Sequence, residues 1–335
     1  MTRGKKVALG LAIGCLGVPV LLAFIVAGVA LVGHAMYGDD PPPKPETIKL
    51  SIPLGGSHHD AGAEDASAEP GPVTPGRDLP AFDPVLASGR PVRLTVEFEE
   101  GEFAVVPGPP GSALRAEGFF DPRDYELIHE THEGTDGAEV SIRFRRKSSF
   151  LALIFRGVDE SGNKVTLTIP KGAPTALGLR VSKGESRIEL GGLTLTELNV
   201  RMAMGDHRVQ FSEPVAGTIP SAVLQASMGD IRMLGLGNAH AEILGINASM
   251  GDMRVDFGGQ WPDAFQTQAT MRFKMGEVRI GVPAGVRIAE SSSNRVMMAE
   301  GHMAAMTEDQ PAAPGTPSLE MHISMMFGEV HVLRD

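Results

Sequence analysis

The chain has 335 residues, a formal net charge of −11, one cysteine and only 5% aromatic residues. The acidic balance and the scarcity of aromatics exclude a nucleic-acid-binding surface, which needs a basic face and stacking side chains. A single cysteine excludes an intramolecular disulfide framework and a cysteine-rich metal site, and no cofactor is predicted. The apolar content of 42% is sufficient for a folded core.

Residues 7–33 contain no charged side chain, and a helix of this length is able to span a bilayer. Charged residues flank the segment on both sides: Arg3, Lys5 and Lys6 before it, Asp39 and Asp40 after it. Because basic residues favour the cytoplasmic side, the N-terminus is predicted inside and the rest of the chain outside. The sequence therefore predicts a single-pass anchor over residues 1–38 of a cytoplasmic-membrane protein.

A cleaved signal peptide is the alternative interpretation of this segment. Residues 33–35 (Gly-His-Ala) provide a small-residue cleavage site, although a signal peptide normally has an apolar region of only about 7–15 residues. The next segment, residues 39–90, is acidic and rich in proline, glycine and alanine. It predicts an extended spacer, with one short strand at residues 48–52.

The strongest feature of the remaining sequence is a repeat centred on a glycine. The first five glycines are separated by 21, 24, 22 and 25 residues, and the last gap, of 52, equals about two such steps. The aligned residues are Gly184, Gly205, Gly229, Gly251, Gly276 and Gly328. A period in the range of about 20–50 residues predicts stacked supersecondary units.

The positions around each glycine repeat as well. The residue at +1 is acidic: Glu185, Asp206, Asp230, Asp252, Glu277 and Glu329. The residue at +3 is basic or an imidazole: Arg187, Arg208, Arg232, Arg254, Arg279 and His331. The residue at −1 is mostly large and apolar: Lys183, Met204, Met228, Met250, Met275 and Phe327.

Alternation within each unit has period two and therefore predicts strands. After the glycine, positions +2 and +4 face inward while +1 and +3 face outward. Before it, the apolar positions −3 and −1 are both interpreted as inward, so most of the 17 methionines are expected in the core. The alternation then slips by one at the glycine, which bends the strand by taking positive φ.

The pattern predicts an all-β fold, a β-solenoid over residues 91–335, preceded by the anchor and the spacer. Further strands are predicted at residues 92–98, 101–105, 140–144 and 165–170, and a loop at residues 300–318. The last rung, around Val330 and Val332, is expected to need a cap or a second chain.

Several segments carry a resemblance to a known family. They are residues 276–288 (GEVRIGVPAGVRI), 327–332 (FGEVHV), 167–172 (LTIPKG) and 190–193 (LGGL). Together they resemble a toast-rack domain, the β-solenoid of LiaF-like cell-wall-active antibiotic response proteins and of adhesin-like domains of unknown function. The resemblance implies protein contacts in envelope-stress signalling. LiaF-like proteins usually carry several membrane helices, whereas this chain has one predicted anchor.

Two sets of side chains are candidate binding sites. The arginines at position +3 (Arg187, Arg208, Arg232, Arg254 and Arg279) either belong to a solvated, salt-bridged face or bind anionic polymers such as teichoic acid, lipopolysaccharide or carboxylated glycans. A second set, Met297, Met298, His302, Met303 and Met306, is interpreted as packing of a rung edge, with Cu(I) binding as the alternative. Residues 129–133 (HETHE) have two histidines three apart in a predicted strand, which does not fit a helical zinc-protease motif.

The function predicted from the sequence is non-enzymatic. The chain is interpreted as a membrane-tethered, extracytoplasmic interaction or envelope-stress-sensing module with an envelope protein as its partner. A polyanion- or glycan-binding, adhesin-like surface protein is the first alternative, and a carbohydrate-active β-solenoid enzyme is the second.

Overall fold

The computed structural model describes residues 46–53, 91–122, 124–134, 137–147, 162–289, 295–296 and 314–334. Apart from Lys147, these residues lie in one compact unit, formed by residues 45–146 and 162–335. The predicted anchor and most of the predicted spacer lie outside the described residues. In the part of the chain that is described, no helix is both long enough and apolar enough to cross a membrane.

The described residues form strands almost throughout. In chain order these are β1 (Glu46–Pro53), β2 (Val92–Gly108), β3 (Ala113–Phe120), β4 (Tyr125–Gly134), β5 (Gly137–Arg146), β6 (Lys164–Pro170), β7 (Thr175–Glu189), β8 (Leu195–Met204), β9 (His207–Gln210), β10 (Ile219–Met228), β11 (Ile231–Leu234), β12 (Ala241–Met250), β13 (Met253–Asp256), β14 (Gln266–Val282), β15 (Arg287–Ala289), β16 (Arg295–Val296) and β17 (Ser318–Arg334). A short 3₁₀ helix lies at Leu236–Ala239. The all-β prediction is confirmed for these residues, including the short strand within the predicted spacer.

Parallel pairing stacks these strands into rungs. From β2 to β17, each rung has an upstream arm before its glycine and a downstream arm after it; in β2, β7, β14 and β17 one strand runs through both arms. At the ends, β5 and β6 pair with the two arms of β2, whereas β15 and β16 both pair with the upstream arm of β17. The order in the stack is β5/β6, β2, β7, β8/β9, β10/β11, β12/β13, β14, β17 and β15/β16. This arrangement is the predicted solenoid.

The two ends of the stack depart from chain order. At one end β2 lies between β5/β6 and β7, although it precedes all of them in the chain. Antiparallel strands cover this end of the stack: β4 pairs with β5, β3 with β6 and β1 with β3. At the other end β17 lies between β14 and β15/β16. The expectation that the last rung in the sequence is also the last in the stack is therefore wrong for the upstream arm of β17.

Alternation explains the core. In β14 and β17 every second residue of the upstream arm is buried, and the buried side chains of all rungs form one apolar cluster. Val209, Met233, Val255 and Ile280, all at position +4, occupy equivalent buried sites on successive rungs. Each rung covers the apolar side chains of its neighbours, as a solenoid requires.

The glycine column is fixed by backbone geometry. Gly229 has φ +123°, a conformation that residues with a side chain rarely adopt. A Cβ atom at this position would lie 1.9 Å from the carbonyl oxygen of Gly205 on the neighbouring rung. The same approach recurs from rung to rung, so the repeated glycine is needed for both the bend and the rung spacing.

Candidate functional site

The outer surface of the repeat carries two charged columns. The acidic residues at +1 and the basic residues at +3 are outside the core, while the residues that alternate with them, at +2 and +4, are buried. Register places each arginine directly opposite the next: Arg187, Arg208, Arg232, Arg254 and Arg279, followed by His331. The prediction of outward charged columns is confirmed in position and register.

Ion pairing along the columns is uneven. Arg279 lies 2.6 Å from Glu277, and His331 lies 3.2 Å from Glu329. Within the described part of the chain, no carboxylate lies within 4.0 Å of the guanidinium groups of Arg187, Arg232 and Arg254. These three arginines are therefore available to an anionic ligand, whereas Arg279 already has a partner.

A column of apolar side chains lies where the sequence predicts core. The residues at position −1 face outward, and each exposes 44–49% of its surface: Met204, Met228, Met250, Met275 and Phe327. The inward prediction for this position is wrong. Positions −3 and +2 are the buried ones, and the bend between them turns both −2 and −1 towards solvent.

The apolar column ends at a cluster of polar side chains. In the two rungs before Met204, position −1 is occupied by Lys183 and Glu100, whose Nζ and Oε1 atoms are 2.8 Å apart. Glu100 also pairs with Arg146, and the Tyr125 hydroxyl accepts a 2.7 Å hydrogen bond from the guanidinium of Arg146. Burial alone raises the pKa of Glu100, but Lys183, Arg146 and Tyr125 together hold this pKa below its usual value. The cluster is therefore charged at neutral pH and closes one end of the column.

A shallow groove lies on the upstream arms of β2, β7 and β8. Its volume is about 240 Å³, and its depth arises at Gly178, which has no side chain between Thr95 and Asn199 on the adjacent rungs. Across the groove Arg93 and Glu197 are 4.0 Å apart. The groove offers polar contacts to a ligand on the outer surface, but the sequence gives no indication of it.

A serine and a histidine are paired inside the solenoid, a feature that sequence reasoning missed. Ser186 Oγ lies 2.9 Å from His207 Nδ1, and both residues are only 2% exposed. Burial lowers the pKa of His207, although the Asp206 charge acts in the opposite direction. Among the described residues, His207 Nε2 has no hydrogen-bond partner. Because substrate has no access to this pair, we interpret it as a polar contact between rungs.

Two other sequence predictions have different outcomes. Residues 129–133 lie in β4, so the two histidines are not on one helical face, as predicted. The candidate Cu(I) set at residues 297–306 lies outside the described residues. In the described part of the chain, no group of three or more His, Cys, Asp or Glu side chains is placed to hold a metal ion.

Residues 88–220 match the family model described as the N-terminal domain of toast_rack, DUF2154. A search of curated proteins finds no match. Among solved structures, a candidate cell adhesion protein from Clostridium sporogenes is similar at 10% identity and a TM-score of 0.31, covering 74% of this chain and 94% of its own. A candidate adhesin from Bacteroides fragilis is similar at 13% identity and a TM-score of 0.33, covering 73% of this chain and 92% of its own.

Proposed function

Because residues 88–220 match the family model of the toast_rack N-terminal domain, we propose that this protein is a non-enzymatic interaction module of the cell envelope. Residues 7–33 tether it to the cytoplasmic membrane, and the solenoid is on the outer side. There it binds another envelope protein and takes part in sensing envelope stress.

The observation that supports this proposal is the register of the outer columns. Successive rungs present the same type of side chain at the same position, while most inward positions are filled by apolar residues. An extended partner can therefore repeat one contact from rung to rung, and linked weak contacts add up to stable binding.

Site-specific photocrosslinking of the full-length protein in its native membrane tests the interaction. A benzoylphenylalanine at Arg232, in the middle of the arginine column, is expected to give a discrete adduct. The matched control is the same residue at Glu139, which is exposed on β5 near the other end of the stack. Identical adducts from both positions, or none from Arg232, would contradict a binding role for the columns.

Membrane fractionation tests the tether. The full-length protein is expected to stay with membranes in high salt and to be released only by detergent. Added protease is expected to degrade the solenoid from the outer side of intact cells. Release without detergent would argue for cleavage after residues 33–35 and against an anchor.

A second candidate function is supported by the unpaired arginines. Arg232 and Arg254 lie on adjacent rungs, about 4.8 Å apart along the stack, and Arg187 lies two rungs before Arg232. Guanidinium groups bind phosphate and carboxylate with paired hydrogen bonds. In this alternative the protein binds anionic polymers such as teichoic acid, lipopolysaccharide or carboxylated glycans.

Binding of purified teichoic acid and lipopolysaccharide, measured at several salt concentrations, distinguishes this alternative. Arg232→Ala is expected to weaken salt-sensitive binding more than Arg279→Ala, because Arg279 is already paired with Glu277. Equal effects of the two substitutions would contradict the alternative. Turnover of either polymer during incubation would contradict the non-enzymatic role.

A further inference from the structure

The outward apolar column is long and continuous. Met204, Met228, Met250, Met275 and Phe327 are direct register partners on successive rungs. At a rung spacing of about 4.8 Å, the column is about 19 Å long. Contiguous exposed apolar surface of this kind is typical of interaction sites, and methionine adapts readily to different partners.

The column forms one wall of a trough. Next to it lies the glycine column, where the backbone of one rung approaches the next too closely for any side chain. Beyond the glycines lies the acidic column at +1. Asp206, Asp230 and Asp252 have no basic group within 4.0 Å in the described part of the chain. The trough therefore has an apolar wall, a bare backbone floor and a wall of unpaired carboxylates.

The opposite flank of the apolar column is low along its first three rungs. Position −2 holds the small residues Ala203, Ser227 and Ser249 there, and Lys274 and Met326 in the last two rungs. The side chains of Met204, Met228 and Met250 therefore have only small neighbours on this flank.

The spacing of the methionines favours a helical partner over an extended one. An α-helix presents same-face side chains at i+3 and i+4, about 4.5 and 6.0 Å apart along its axis, which brackets the rung spacing. An extended strand presents same-face side chains about 6.6 Å apart and falls out of register after two rungs. Helix-in-groove recognition therefore fits this surface better than strand addition.

We propose that this trough binds one amphipathic α-helix of a partner protein. The apolar side of the helix faces the methionines, and a row of lysines or arginines faces Asp206, Asp230 and Asp252. A helix of about 13 residues covers the column from Met204 to Phe327. Lys183 and Glu100 limit the site at one end. The inference rests on the proposed interaction function and specifies the partner's chemistry.

Peptide binding by the full-length chain in phosphatidylcholine nanodiscs tests this proposal. The probe is a fluorescent 18-residue helical peptide with leucines on one face and lysines beside them; empty nanodiscs provide the background. Met228→Thr with Met250→Thr is expected to weaken binding at least about tenfold. The matched control, Ile243→Thr, removes an exposed apolar side chain outside the column and is expected to leave binding unchanged.

Charge is tested separately. Asp230→Asn with Asp252→Asn is expected to weaken binding of the lysine peptide and to reduce its preference over a peptide with glutamates in place of the lysines. Equal binding of the two peptides by the unchanged protein, or full binding by the methionine variant, would overturn the proposal.

Self-association is the remaining outcome. If light scattering shows a dimer that the two methionine substitutions dissociate, the occupant is a second copy and the proposal is wrong. The crosslink at Arg232 distinguishes failure of this inference from failure of the proposed function. If only the helix-binding inference is wrong, the crosslink persists in the methionine variant. If the proposed interaction function is wrong, the crosslink is absent from the unchanged protein.

Discussion

The covered end of the stack and the glycine repeat bury the apolar surface of their rungs in different ways. At the covered end, Phe144 contacts Phe98, Phe120 and Tyr125, with ring centroids 4.9–5.3 Å apart. In the repeat, mostly aliphatic side chains and methionines fill the interior, with Phe211, Phe257 and Phe273 among them, and rungs flank them on both sides. A terminal rung has a neighbour on one side only, so large aromatic side chains supply the missing contact area. The comparison indicates that the end depends on side-chain volume and the repeat on backbone spacing.

The largest expected loss of stability follows from a substitution that disturbs backbone spacing in the repeat. Gly229→Val introduces a side chain at φ +123° and places its Cβ 1.9 Å from the carbonyl oxygen of Gly205. Backbone strain and overpacking together are expected to lower the free energy of unfolding by about 4 kcal/mol or more. Denaturant unfolding of the full-length protein measures this change.

Gly178→Ala is the matched control for the repeat. The added Cβ lies 3.8 Å from the carbonyl oxygen of Leu94, an ordinary contact, and Gly178 has no positive φ. The free energy of unfolding is expected to change by less than about 0.5 kcal/mol. A similar loss for both variants would show that the glycine column is not special.

The next effect concerns side-chain volume at the covered end. Phe144→Ala removes the ring shared by three aromatic neighbours and is expected to cost about 3 kcal/mol of unfolding free energy. Phe119→Ala, at a residue of β3 that is 42% exposed, is the control and is expected to cost much less. Equal losses would contradict the role of the aromatic cluster.

A smaller, pH-dependent effect on stability is expected from His207 in the repeat. Burial lowers the pKa of His207, so the folded protein keeps this imidazole neutral while the unfolded chain binds a proton near its usual value of about 6.5. The stability contribution is therefore complete above this pH and is lost as pH falls from about 6.5 towards the lower pKa of the folded state. The melting temperature is expected to drop between pH 7 and pH 5.

Replacement of the pair by Ser186→Val and His207→Ile tests this account. Ile231, Met253 and Val278 occupy the equivalent position on later rungs, so the column accepts apolar side chains. The double variant is expected to show a weaker pH dependence without loss of stability at pH 7. A slope remains from His129, whose pKa is also lowered by burial. An unchanged slope would exclude His207 as its source.

The smallest effect on stability is expected from oxidation, which separates the two methionine populations. Hydrogen peroxide is expected to convert Met204, Met228, Met250 and Met275 to sulfoxides well before the buried Met202, Met233, Met271 and Met321. Peptide mass spectrometry measures the rates, and the melting temperature is expected to stay nearly constant while only the outer set reacts. Equal rates in the two sets would contradict the outward column.

Much of the repeat could be predicted from sequence, because period-two alternation and glycine spacing reflect pairing directly. The outward position of Arg232 and the buried position of Met233 both follow from this alternation. The direction of Met228 does not, because apolar character alone suggests burial, whereas the bend turns two consecutive residues outward. The interleaved ends were also beyond sequence reasoning, because β17 alternates in the same way whichever rungs lie beside it.

The position of β17 between β14 and β15/β16 affects the order of folding and the consequence of truncation. The upstream arm of the most C-terminal described strand lies between two other layers, so this part of the stack cannot be completed by simple addition of rungs in order of synthesis. Pairing across this sequence separation is a slow step in folding, because a long loop must close first. Truncation before Ser318 would remove an inner layer and leave two unpaired surfaces, so loss of this strand is expected to promote aggregation, unlike trimming of an ordinary terminal repeat.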